Sequence, residues 1–258
     1  MQEHIGEVTH DPPPHHWEVS WAPMAAGFGV MFLVALPFSS YFVYHNRLLA
    51  VLFAGIGAPL VLAGIAKWIQ EGASQKMAIE NVSPIGIGVF IIGEILIFIG
   101  LFASYWTLRL SAAGAWPPAG TPHIDKLLPL VMTVLLVASS LTYHAAEARL
   151  DADDKAGFIK WLVASIVLGV LFIGCTTYEY SHLSQAGFNP GTNQYSAAFY
   201  TLTGFHAAHV LLGVLSFVSI LVAVTRIRIN PLFVTVVGIY WHFVDVVWFF
   251  VASQVYFW

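Results

Sequence analysis

Charge is what this chain has least of: 9% of its 258 residues are charged and 58% are hydrophobic, against roughly 25% and 45–50% in ordinary soluble domains. A water-soluble globule is excluded. Basic residues are fewer than acidic ones, Lys+Arg 10 against Asp+Glu 14, and the formal net charge is -4. No basic stripe is available to neutralise phosphates, so nucleic acid is not an expected partner. The single cysteine, Cys175, excludes an internal disulfide, a Cys-based zinc site, an iron–sulfur cluster and CxxCH haem attachment. A bound metal would need His and carboxylate ligands.

The first 23 residues contain neither Lys nor Arg, so they lack the basic n-region and apolar h-region of a signal peptide. They read as a polar, extended leader over 1–23. Its His4, His10, His15 and His16 have a metal-binding composition, but scattered around Pro12, Pro13 and Pro14 they have no fixed geometry.

Period-two alternation is also missing, which excludes a β-barrel. What fills the chain instead is seven long apolar runs: Met24–Tyr44, Leu48–Ile69, Pro84–Leu110, Leu127–Ala146, Phe158–Tyr180, Tyr195–Thr225 and Leu232–Trp258. Each reaches the ~20 residues that a helix needs to cross about 30 Å of hydrocarbon. The expected fold is all-α and polytopic, with one transmembrane domain over 24–258. Lys67, Lys76, Arg149, Lys155, Lys160, Arg226 and Arg228 fall on one side, and Arg47, Arg109 and Lys126 on the other. That bias puts the N-terminus inside and the C-terminus outside.

Ionisable side chains within spans are costly and mark functional candidates. Glu94 stands out among Ile91, Ile92, Ile95, Leu96, Ile97 and Phe98, either as a proton-handling group or as an interhelical hydrogen bond. His206 and His209 share one face of the sixth span beside Gly204 and Ala208, and one of them is expected to pair with Glu94. They are alternatively metal ligands, with His144, His242 and Asp245 to complete the shell. His242 and Asp245 are i, i+3 partners, expected to bond within their own helix. His144 and Glu179 lie near span ends, where interfacial water can solvate them. Trp17, Trp21, Trp68, Trp106, Trp116, Tyr178, Tyr180, Tyr256 and Trp258 read mainly as aromatic belts. Lys67 with Trp68, and Arg226 with Arg228, are candidates for lipid phosphate, with bulk attraction to anionic lipid as the other reading of the arginines.

Several stretches resemble one known family. Tyr240-Trp241-His242-Phe243-Val244-Asp245-Val246-Val247-Trp248 looks like the signature of subunit III of haem–copper cytochrome c oxidase. Thr203-Gly204-Phe205-His206-Ala207-Ala208-His209-Val210 resembles that family's TGFHxxHV helix, Gly93-Glu94-Ile95-Leu96-Ile97-Phe98 its glutamate-bearing third helix, and Trp116-Pro117-Pro118-Ala119-Gly120 its WPP loop. Tyr178-Glu179-Tyr180 resembles its E-Y element. The resemblance runs from Gly93 to Trp258, while the first two spans fit by topology.

The resemblance implies two helices plus five separated by a lipid-filled cleft, and a subunit with no haem or copper of its own. Its buried functional residues would be Glu94, His206 and His209, with His242 and Asp245 a structural polar pair and no catalytic or metal-binding residue. It would bind phospholipid and dock beside catalytic subunit I, with subunit II and small subunits as further partners. Haem and copper would lie in the partners, which alone would meet cytochrome c or quinol. The implied role is to stabilise subunit I and to support oxygen access and proton uptake, while the unusual leader favours a bacterial plasma membrane over the mitochondrial inner membrane. The alternatives are subunit III of a quinol oxidase and a His/Glu membrane metalloenzyme using Glu94, His206, His209 and His242. A retinal protein is excluded, because the last span has no lysine.

Overall fold

The computed structural model describes residues 20–74, 83–112, 114–226 and 231–257. Most of the leader lies outside the described residues, as do Trp17, Arg228, Trp258 and the side chains of Trp68 and Arg226. Seven helices are long and apolar enough to cross a membrane. In hydrocarbon every backbone N–H and C=O must be paired within the segment, which is why such apolar runs become helices. They are α1 (22–43), α2 (Arg47–Ser74), α3 (Ser83–Ser111), α4 (Leu127–Asp151), α5 (Lys155–Gln185), α6 (Gln194–Arg226) and α7 (Pro231–Ala252), the last continued by a π-helical turn over Ser253–Phe257.

The expected spans fall on these helices, but several helices outrun the apolar window. The fourth continues past Ala146 to Asp151, and the fifth widens to Lys155–Gln185. Polar end turns cause this. Asp154 caps α5 by accepting a hydrogen bond from the Gly157 N–H at 2.9 Å, satisfying one of the orphan donors of a helix start.

The chain divides into two compact units, Met1–Ala78 and Ile79–Trp258, which group the helices as two and five. In the first unit α1 packs along α2 at backbone distance. A Cβ on Gly29 would stand 2.6 Å from the Val61 nitrogen, and one on Gly64 would stand 2.7 Å from the Ala26 nitrogen. Such small-residue contacts let membrane helices gain dispersion energy where no hydrophobic force separates lipid from protein. Two π-helical stretches, Met31–Ala35 and Ser39–Val43, interrupt α1, and Asn46 opens α2 by accepting from the Leu49 N–H at 3.0 Å.

In the second unit α4, α5, α6 and α7 each pack against the next, and α7 returns to α4, closing a ring; α3 packs against both α6 and α7. The seventh helix is the best covered, with 56% of its span buried against 11% for α3. Trp241 anchors it. Its ring is fully buried beside Gly169 and Gly213, and its Nε1–H donates to Ser139 Oγ at 2.9 Å. A Cβ on Gly169 would already stand 2.6 Å from Val214 Cγ2. One turn pair further, Trp248 Nε1–H donates to Thr133 Oγ1 at 2.9 Å, so both indoles of α7 key into hydroxyls of α4.

The connection between α3 and α4 and the connection between α5 and α6 fold over the same end of this unit. Asn193 Nδ2–H donates to Thr121 Oγ1 at 3.1 Å, joining one loop to the other. Trp116 meets Tyr195 edge to face at 5.5 Å, and Phe188 is fully buried.

Candidate functional site

The polar residues that the apolar spans cannot ignore gather in three places of the second unit. The first joins α3 to α6. His209 Nε2 lies 3.1 Å from Glu94 Oε2, with side chains 7% and 16% exposed. His209 Nδ1 lies 2.8 Å from the Phe205 carbonyl oxygen. A carbonyl only accepts, so Nδ1 carries the hydrogen and Nε2 faces the carboxyl. One proton then lies between Nε2 and Oε2, and wherever it sits the pair is neutral overall.

Aromatic rings enclose this pair. Phe205 stands edge-on to the imidazole at 4.7 Å, Phe98 lies at 5.3 Å, and Tyr240 stacks at 6.4 Å. The Tyr240 hydroxyl donates to the His209 carbonyl at 3.1 Å, which ties α7 to the same turn. The expected glutamate–histidine pairing is therefore made by His209. His206, one turn away, is fully buried between Trp248 at 5.1 Å and Phe172 at 5.7 Å. Neither of its ring nitrogens has a hydrogen-bond partner among the described residues.

The second place lies between α4 and α7. The expected bond within α7 between His242 and Asp245 is replaced by a bridge through another helix. Ser140 Oγ–H donates to Asp245 Oδ2, and His242 Nδ1 lies 3.3 Å from the same hydroxyl. Spacing within one helix identified both residues but gave no hint of Ser140, which is 105 positions away from Asp245. The third place was missed. Glu179, expected to be hydrated near a span end, is 6% exposed and accepts from the Tyr256 hydroxyl at 2.7 Å. Tyr256 is 7% exposed and so is no belt residue, whereas Tyr178, 66% exposed, fits the belt reading. Among the lipid candidates Lys67 is half-buried near the end of α2.

A four-residue metal shell is not assembled. Among the described residues no three His, Cys, Asp or Glu side chains stand close enough together to hold a metal ion, so Glu94, His206, His209 and His242 do not form one site. What the geometry provides is one closed histidine–carboxyl pair between α3 and α6, and one carboxyl group held through a single oxygen by Ser140.

Residues 15–258 match a family model described as cytochrome c oxidase subunit III. The chain is 39% identical to cytochrome c oxidase subunit 3 of Synechocystis over 175 residues, 66% of this chain and 73% of that protein. It is 37% identical to the subunit 3 of Corynebacterium diphtheriae over 193 residues, 72% of this chain and 94% of the relative. A probable subunit 3 of Mycobacterium leprae is 35% identical over 180 residues, 69% and 88% of the two lengths.

Proposed function

The chain belongs to the cytochrome c oxidase subunit III family, and from that premise we propose that it is the non-catalytic third subunit of a haem–copper oxidase in a bacterial plasma membrane. It holds no haem or copper itself. It docks beside catalytic subunit I, with subunit II and small subunits in the same assembly, and steadies subunit I while the complex reduces oxygen to water and pumps protons. Phospholipid binds along its helices, with Lys67, Trp68, Arg226 and Arg228 as phosphate contacts. Oxygen is apolar and dissolves in hydrocarbon, so a lipid-lined helical subunit supports oxygen access without a site of its own.

The observation that carries this reading is the Glu94–His209 contact at 3.1 Å. Glu94 and His209 come from two separate family words, and they meet in space as one neutral, proton-holding pair. His206 sits in the same word and fills the adjoining interior. In this role the pair supports proton uptake by the complex and braces α3 against α6. Relatives named for cytochrome c favour that donor over quinol, and both donors meet other subunits.

The test is purification from the native membrane in mild detergent, followed by a reduced-minus-oxidised spectrum, metal content and identification of co-purifying proteins. Haem and copper should accompany a larger partner and leave when this chain is separated from it. Metal retained stoichiometrically on the isolated chain would overturn the reading. Turnover with reduced cytochrome c and not with quinol would fix the donor.

A further inference from the structure

A column of polar and titratable side chains runs along the seam of α4 and α7, separate from the Glu94–His209 pair. Ser140, His144, Glu147 and Asp151 follow at i, i+4, i+7 and i+11, which puts all four on one face of α4 over about 16 Å. Its outer members form a mouth. His144, Glu147 and Asp151 line a cavity of about 240 Å³ at the end of the helices, with Pro231, Val234 and Thr235 of α7 as the other wall. Glu147 reaches across to α7, since a Cβ on Gly238 would stand 2.9 Å from Glu147 Oε1. His144 Nδ1 lies 3.9 Å from Glu147 Oε2. Arg149, on the opposite side of α4, pairs with Asp154 at 3.5 Å and so does not neutralise this mouth.

The inner members are buried. Ser140 Oγ–H donates to Asp245 Oδ2, and Asp245 is 8% exposed with its Oδ1 enclosed and unpartnered among the described residues. His242 Nδ1 lies 3.3 Å from Ser140 Oγ. The one hydrogen of the serine goes to the carboxylate, so Nδ1 is the donor in that contact. His144 stands one turn of α4 from this serine and within electrostatic reach of both Glu147 and His242. Packing needs only the bond from Ser140 to Asp245. A run of ionisable groups from an open mouth to an enclosed carboxyl group, each costly in hydrocarbon, is the arrangement of a proton path.

We propose that this column is a proton relay, which connects the cavity at Glu147 and Asp151 with a proton store at Asp245. A proton taken from water at the mouth passes to His144 and, across one bridging water, to His242. The Nδ1–H bond of His242 then breaks as Ser140 Oγ takes that proton, and the Ser140 O–H bond breaks as Asp245 Oδ2 takes the other. Imidazolium and carboxylate become imidazole and carboxylic acid, the serine ends as it began, and release runs in reverse. The relay stands on these contacts; its use in proton uptake rests on the oxidase-subunit reading, and the Lys and Arg bias puts its mouth inside.

Infrared spectroscopy of the purified full chain in acidic buffer tests it. The carbonyl stretch of the protonated Asp245 is identified by its loss in Asp245→Asn, and its shift is followed after transfer to heavy water. Exchange should be fast in the parent and about a hundredfold slower in Ser140→Ala and in His144→Leu. Ser140→Thr, which keeps the hydroxyl, should restore the rate, and Asp153→Asn, a carboxylate outside the cavity, should leave it unchanged. A parent without an exchanging Asp245 band, or equal rates in Ser140→Ala, His144→Leu and the parent, would overturn the relay. A chain that relays protons but brings down no haem- or copper-bearing protein would instead overturn the functional reading and leave the relay standing.

Discussion

Two helix pairs of the same unit use the same chemistry, an imidazole and a carboxyl near mid-span, and finish it differently. Between α3 and α6, Glu94 and His209 meet directly, rings close around them, and the second imidazole nitrogen is taken by the Phe205 carbonyl. Between α4 and α7, His242 and Asp245 meet through Ser140, the other carboxyl oxygen is buried without a partner among the described residues, and the imidazole faces outward. The difference lies in where the partner comes from. The α3–α6 pair is complete within one chain and ties two of its helices together. The α4–α7 cluster takes its donor from Ser140, and Asp245 Oδ1 has no partner among the described residues.

The largest expected effect strikes the buried centre of the unit in which both pairs lie. Trp241→Ala empties a fully buried indole site beside Gly169, Gly213 and Ser139, and about 3–5 kcal/mol of stability should be lost. Thermal or denaturant unfolding in detergent reads it, and a loss under about 1 kcal/mol would contradict α7 as the centre of the unit. Next comes His209→Leu, which leaves Glu94 facing an apolar side chain. The isolated chain should lose roughly 1–3 kcal/mol in the same measurement.

Glu94→Gln is the milder break, because an amide can donate to or accept from His209 Nε2. Stability should fall by less than about 1 kcal/mol. Altered proton stoichiometry or faster inactivation of the assembled oxidase would then assign the pair its proton role, while normal turnover and pumping would leave it as packing alone. The smallest effect is expected on the α4–α7 side. Asp245→Leu in the isolated chain should stay within about 0.5 kcal/mol of the parent, since Ser140 can turn back to its own helix. A loss as large as that of His209→Leu would erase the contrast between the two pairs.

The sequence made the spans legible because hydrocarbon forces a long apolar run into a helix whatever its neighbours. It made Glu94 and the histidines legible for the same reason, since a titratable group among isoleucines is conspicuous. Partners were another matter. His209 is 115 positions from Glu94, and Ser140 is 105 from Asp245; nothing local selects His209 over His206. Local spacing favoured a bond within α7, yet the serine of α4 supplied the nearer donor. Glu179 was misread because position near a span end says nothing about a tyrosine arriving from 77 residues away.

The placement of the seventh helix governs the order in which this protein can be built. It touches α3, α4 and α6, and its indole fills space that Gly169 and Gly213 leave vacant. It is also the last of the seven to leave the ribosome. Until it arrives, the space beside Ser139 and the two bare glycines has no indole to fill it. A ribosome stalled before Pro231 therefore yields no smaller version of the subunit, only a bundle with its keystone absent.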